Sequence, residues 1–323
     1  MIIDQDLHIH SHCSCDSACA QLPDIAEAGK RAGFTHWGIS DHLHTRFNLP
    51  DIEIAAEEFR QLGKIPGFHF GLEISCATQW ECEKIARRDY TSCFVYDLKG
   101  HPFRTMTPID GIMYGGPENG PLMLDITPED IKRLNIEYII GGVHKPNYTE
   151  QAPKPMIDDF FNQSCFLIRH ELVDILAHPW DMLAFWSGYY LITRDPADRD
   201  FNVLRMIPNE YWDELEHLLI SCNKLAEINS FIIYPEVPED IRHFYFEKLA
   251  RWRDAGVKFT YGSDLHGAEY NFEFKATFEK LLMQYGFSAG DFALPGSLPM
   301  KKNNVCSAHK SSCAEQTPGA AGI

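Results

Sequence analysis

The sequence predicts an α/β fold: a closed or nearly closed barrel of parallel strands whose C-terminal ends carry metal-binding side chains. Three observations predict it. Seven short apolar runs recur along the 323 residues. Helical patterns lie between most of them. Each run carries, at or near its C-terminal end, a polar residue of a type that binds metal. Strands alternating with helices indicate parallel βαβ units. Seven such units fall one short of the common eightfold barrel.

The runs, in order, are DLHIH at 6–10, HWGISDH at 36–42, FHFGLEIS at 68–75 and EYIIGGVH at 137–144. VDILAHP at 173–179, LAEINS at 225–230 and VKFTYGSDLH at 257–266 complete the set. Their length, β-branched content and flanking Gly or Pro favour strands over helices. The first helix is expected at 22–32, with Pro23 near its start and Gly33 at its end. A second follows at 54–62. A third spans 127–134, where Thr127 suits an N-cap and Pro128 the first helical position. Helical patterns continue at 157–171, 209–223, 238–255 and 274–285.

Two regions break the rhythm. Residues 76–125 are rich in Gly, Pro and aromatics and read as an insertion after the third strand, helical at 79–88, that folds over the barrel mouth. Residues 184–208 read as a smaller insertion. Long loops at this face of a barrel commonly set substrate choice. Residues 299–323 are small and polar and read as a disordered tail, which leaves 1–298 as a single domain.

The formal net charge of −17 disfavours nucleic acid and anionic membrane as partners. It does not disfavour a small anionic substrate, because a metal cluster inverts the local field. MIIDQDLHIH lacks a basic segment followed by an apolar one, so no signal peptide is read. The apolar runs are too short and too charged to span a bilayer. The ten cysteines follow no regular framework, so reduced thiols and a cytoplasmic location are expected.

The chemistry is carried by the strand ends. His8 and His10 are two apart in a predicted strand and project from one face. Asp264 and His266 repeat that spacing at the other end of the chain. His42, Glu73, His144 and His178 each end another run. In a parallel barrel these ends converge on one mouth. Imidazole and carboxylate without an obligatory thiolate suit zinc, manganese or iron. The set exceeds what one tetrahedral ion needs, so at least two ions are expected. Two neighbouring ions sharing a hydroxide fit phosphoester hydrolysis best.

The ordered set HxH, Asp16, Ser-Asp-His42, Gly-Leu-Glu73, Val-His144, Ala-His178-Pro and Ser-Asp264-Leu-His266 resembles the PHP (polymerase and histidinol phosphatase) superfamily. The similarity runs from Asp6 to His266, with the motifs in the family's order. Glu227-Ile228-Asn229-Ser230 also resembles its sixth-strand motif. The resemblance implies a distorted (β/α)7 barrel with the metal site at the C-terminal ends of the strands, and three divalent ions. It implies that His8, His10, Glu73 and Asp264 hold the first ion. Glu73 would bridge to a second ion, completed by His144 and His178. Asp16, His42 and His266 would hold the third.

The expected activity is hydrolysis of a small phosphomonoester, such as histidinol phosphate, a nucleotide or a sugar phosphate, by a metal-bridging hydroxide. Glu73, His178 and Asp264 are the expected catalytic residues. Lys145 and Arg46 are candidates for substrate contact, against the alternative of solvated surface charges. Two other readings remain: a phosphodiesterase or exonuclease on short nucleic acid, and a non-catalytic metal-binding regulatory module. Cys13, Cys15 and Cys19 read as loop cysteines without metal. Asp41 suits a group orienting a ligand or a turn residue equally. Trp180, Trp186, Tyr189 and Tyr190 read as packing aromatics that also suit a pocket wall.

Overall fold

A computed structural model of the chain describes residues 2–16, 18–90, 94–96, 102–104, 116–117, 120–147, 152–187, 199–267 and 269–298. The expected tail, Tyr189, Tyr190 and parts of both insertions lie outside these residues.

The strands are β1 (Gln5–Asp6), β2 (His36–Ile39), β3 (His42–Leu43), β4 (Phe68–Ser75), β5 (Ala77–Thr78), β6 (Phe94–Tyr96), β7 (Pro102–Arg104) and β8 (Leu122–Met123). They continue with β9 (Tyr138–Gly142), β10 (Ile175–Leu176), β11 (Leu225–Asn229) and β12 (Phe259–Gly262). Seven of them form one parallel sheet in the order β1-β2-β4-β9-β10-β11-β12. The sheet curls until its edges meet. Leu7 N donates to Tyr261 O at 3.3 Å, Asp264 N to His8 O at 2.8 Å and His10 N to Leu265 O at 2.9 Å. The fold is therefore a distorted barrel of seven parallel strands.

The second expected strand is split. After Ile39 the chain bends at Ser40-Asp41, and β3 then pairs separately with β4, placing His42 beside Glu73. β1 and β10 are shorter than their apolar runs. Beyond β10 and β12 the expected ligands leave the regular ladder, as His178 at φ 24° and Asp264 at φ 54° show. Positive φ is costly for side chains with a Cβ and recurs where function fixes the backbone.

The helices match the amphipathic patterns, with three earlier starts, of which Phe272–Gln284 is the smallest. Helix Leu49–Gln61 begins ahead of the expected residue 54, because Pro50 occupies its first turn and Leu49 and Ile52 are buried. Pro153–Arg169 likewise begins with a proline and buries Met156 ahead of Ile157. In Pro128–Leu134, Thr127 and Asp130 form a reciprocal capping box. The insertion opens and closes as an antiparallel pair, β5 with β8, so the chain leaves and re-enters the barrel rim at one place.

Tyr138 fills the barrel interior below the site. Its hydroxyl donates to Leu7 O at 2.6 Å and lies 3.0 Å from Ile39 O. The ring fits because Gly71 faces it: a Cβ there would lie 2.2 Å from Tyr138 Cζ.

Six cysteines, Cys13, Cys15, Cys19, Cys76, Cys82 and Cys165, are free thiols. No helix among the described residues is long and apolar enough to cross a membrane.

Candidate metal centre

The barrel brings all nine expected ligands to one end. Glu73 on β4 is the hub. Its Oε1 lies 2.9 Å from His144 Nε2 and 3.0 Å from His178 Nε2. Its Oε2 lies 2.9 Å from His42 Nδ1, 3.1 Å from His8 Nε2 and 3.5 Å from His10 Nε2. The two oxygens of one carboxylate thus serve two different sets of imidazoles. Asp264 Oδ1 lies 3.1 Å from His10 Nε2 and 3.4 Å from His8 Nε2. Asp16 Oδ2 lies 3.2 Å from His42 Nε2 and also contacts His266 Nε2.

Among the nine expected ligands, three groupings emerge in which one donor atom per residue lies within 4.8 Å of the others. They are His8, His10 and Asp264; His8, Glu73 and His178; and His10, Asp16, His42 and His266. A fourth joins His42 and His144 to His44, a buried residue that the sequence reading passed over. The signal for it was present: His42-Leu43-His44 repeats the spacing of His8-Ile9-His10.

A second layer holds these side chains. Glu227 Oε1 lies 2.6 Å from His8 Nδ1, and its Oε2 accepts from the backbone N–H of His178 at 2.7 Å. Asn229 Nδ2 lies 3.3 Å from both Glu227 Oε2 and Asp264 Oδ2. Asp41 accepts from Ser11 N and Ser11 Oγ at 2.6 and 2.7 Å, which ties the loop after His10 to the bend before His42. Ser75 Oγ lies between His44 Nδ1 at 2.7 Å and His144 Nδ1 at 2.6 Å.

The electrostatics follow from burial and crowding. Burial would raise the Glu73 carboxyl, but His8, His144 and His42 outweigh it and hold the group well below its ordinary range. Asp264 is held down in the same way by His8 and His10. Burial opposes charge on His42 and His178. Carboxylates overcome it, chiefly Glu73, and push them up to about 10 and about 9. Burial and the neighbouring His42 push His10 down to about 3. The carboxylates therefore attract positive charge, which protonated imidazoles and divalent cations supply alike.

The residues fit metal ions. Glu73 Oε2, His42 Nδ1 and Asp16 Oδ1 are buried without hydrogen-bond partners. Glu73 Oε2 and His42 Nδ1 are close enough to bond yet badly directed for it. Buried polar atoms are rarely left so unless an ion or water completes them.

Lys145 and Arg46 lie in ion pairs. Lys145 is buried, with Nζ 3.2 Å from both carboxylate oxygens of Glu81. Arg46 Nη2 donates to Asp130 Oδ2 at 2.9 Å, and its backbone N–H donates to Asp125 Oδ2 at 2.7 Å. Contact with substrate would require these pairs to open. Trp186 donates from Nε1 to His144 O at 2.6 Å, while Trp180 is buried in the core. A cavity of about 160 Å³ adjoins the centre, lined by His178, Asp264 and His266 together with Phe185, Phe231 and Tyr234.

The chain is thus a seven-stranded parallel barrel with an imidazole–carboxylate cluster suited to metal at its strand ends. The family profile described as the PHP domain matches residues 6–233, and the chain belongs to that family. Two solved structures share the fold. One is histidinol phosphate phosphatase from Lactococcus lactis in complex with zinc, L-histidinol and phosphate. It is 16% identical, with 88% of this chain and 94% of that chain covered and a TM-score of 0.52. The other is a histidinol phosphatase, described as putative, from Listeria monocytogenes. It is 11% identical, with 82% and 96% covered and a TM-score of 0.50. No curated protein matches the sequence.

Proposed function

We propose that the chain is a metal-dependent phosphatase acting on a small phosphomonoester. The observation that carries the reading is the division of Glu73 between two imidazole sets, His144 and His178 on one oxygen and His8, His10 and His42 on the other. A carboxylate so placed suits a bridge between cations. In this reading His8, His10, Glu73 and Asp264 hold one divalent ion, Glu73, His144 and His178 a second, and Asp16, His42 and His266 a third. Zinc, manganese and iron all suit the donor set. Bound there, such ions supply Lewis acidity, an activated water and charge neutralisation at phosphorus.

The chain's own residues supply position and exclusion. Glu227 and Asn229 hold His8, Asp264 and the backbone of His178. Phe185, Phe231 and Tyr234 line the adjoining cavity with apolar surface that suits an organic leaving group. The net charge of −17 favours small monoesters over polymeric nucleic acid.

The test is phosphate release by zinc- or manganese-loaded protein from histidinol phosphate, nucleoside monophosphates and sugar phosphates. Turnover of at least one of these is expected. Metal-loaded protein that hydrolyses none of them, or that cleaves short oligonucleotides faster, would overturn the proposal.

A further inference from the structure

We propose that His44 and Ser75 are positioning residues, whose hydrogen-bond chain to His144 fixes the nitrogen that His144 turns to the metal centre. This rests on His144 being a ligand, as proposed above. Ser75 and His44 are buried, and the chain's distances are 2.7 Å from His44 Nδ1 to Ser75 Oγ and 2.6 Å on to His144 Nδ1.

A hydroxyl has one proton, so Ser75 donates to one imidazole and accepts from the other. Two directions satisfy the chain. In the first, His144 Nε2–H donates to Glu73 Oε1, 2.9 Å away, and His144 Nδ1 accepts from Ser75. Ser75 then accepts from His44 Nδ1–H. Were His144 Nε2 to hold a metal it would carry no proton, and only the second direction would remain. His144 Nδ1–H now donates to Ser75, and Ser75 donates to His44 Nδ1. His44 must then carry its proton on Nε2.

The protons balance. His144 loses one from Nε2 to solvent and gains one at Nδ1 from Ser75. Ser75 takes the proton of His44 Nδ1, and His44 gains one at Nε2 from solvent. Loading the centre thus converts His44 Nε2 from an acceptor to an N–H donor without changing the charge of the relay. His44 lies among the centre's rings, with centroids 4.8 Å from His42 and 5.3 Å from His144. Two strand-end histidines are thereby coupled through one serine on β4.

Nitrogen NMR of histidine-labelled protein, titrated with zinc, tests this. His44 Nδ1 is expected to change from pyrrole-type to pyridine-type on loading, and His144 Nδ1 in the opposite sense. Ser75→Ala and His44→Leu should abolish the change and weaken one zinc equivalent by roughly 10- to 100-fold, as for other groups that orient ligands. Ser75→Thr and His44→Asn keep a hydroxyl and an acceptor at the same places, and should restore most of that affinity. An unchanged His44 Nδ1 signal, or wild-type zinc affinity in Ser75→Ala, would overturn the relay. Full zinc stoichiometry in His144→Ala would instead remove its premise.

Discussion

The carboxylate of Glu227 joins two histidines of the candidate metal centre that are 170 residues apart in sequence, His8 through its ring at 2.6 Å and His178 through its backbone N–H at 2.7 Å. These two bonds set where His8 and His178 stand. Glu227→Gln keeps the volume and removes the charge. It should weaken metal binding by roughly 10- to 100-fold, the usual cost of losing such an orienting group. It should also lower stability by about 1–3 kcal/mol, because a buried bond to a charged group is lost. Metal analysis after dialysis and thermal unfolding of the apoprotein check the two effects separately. Unaltered metal retention would show that His8 needs no carboxylate behind it.

The parts of this centre that the sequence displayed were those governed by periodicity. His8 and His10 share a face because strand side chains alternate, and β4 occupies the whole of its apolar run, 68–75. Residues governed by local bends were harder to read. The HxH spacing of His42 and His44 was visible, but the bend at Ser40-Asp41 that starts a separate strand, β3, and so carries that pair into the site was not. Ser75 gave no signal, since a serine at a strand end is ordinary until two imidazoles are seen on either side of it. Lys145 and Arg46 looked available as free cations. Their partners Glu81, Asp125 and Asp130 come from segments that only tertiary packing brings near.

Metal addition should raise the melting temperature of chelator-treated protein. A ligand that binds only the native state stabilises it by about 2.7 kcal/mol at one hundred times its dissociation constant. Glu73 faces five imidazoles, so Glu73→Gln should abolish most of that gain and the accompanying turnover. Differential scanning calorimetry with and without zinc or manganese reads the gain directly. A full metal-dependent rise in Glu73→Gln would rule out the bridge.

Asp130 gives a pH dependence remote from the centre. Burial would raise its carboxyl, but hydrogen bonds from Thr127, Arg133 and Arg46 outweigh it and hold it at about 2, against an ordinary 3.8. The unfolded chain therefore binds this proton more tightly than the folded one. Its stabilisation is complete above 3.8 and is lost as pH falls through about 2. Asp130→Asn should cost about 1 kcal/mol near neutrality, a typical value for a helix cap. The difference in melting temperature between wild type and variant should shrink as the pH approaches 2. Comparing the two proteins at each pH cancels the titration of the metal centre. A difference that stays constant into acid would show that the carboxylate charge is not what stabilises the cap.

Two interior glycines separate the stability of the barrel from the geometry of its site. Gly71 and Gly142 lie on the neighbouring strands β4 and β9, and both leave room for a side chain. A Cβ at Gly71 would strike Tyr138 at 2.2 Å, and that ring is anchored through its hydroxyl to Leu7 O and Ile39 O. The collision is with the barrel floor, so Gly71→Ala should cost about 1–3 kcal/mol from overpacking. Protein that still folds should bind metal nearly as the wild type does. A Cβ at Gly142 would instead lie 2.4 Å from His144 Cε1 and 2.6 Å from Glu73 Oε1. Those atoms sit on side chains that move by rotation, so the fold can yield where the centre cannot. Gly142→Ala should therefore lose metal affinity and turnover out of proportion to its loss of stability. Titrating zinc into each variant below its melting temperature tells the two apart. Equal losses of metal affinity would mean that the floor and the site move as one body, and that Tyr138 belongs to the metal centre's support.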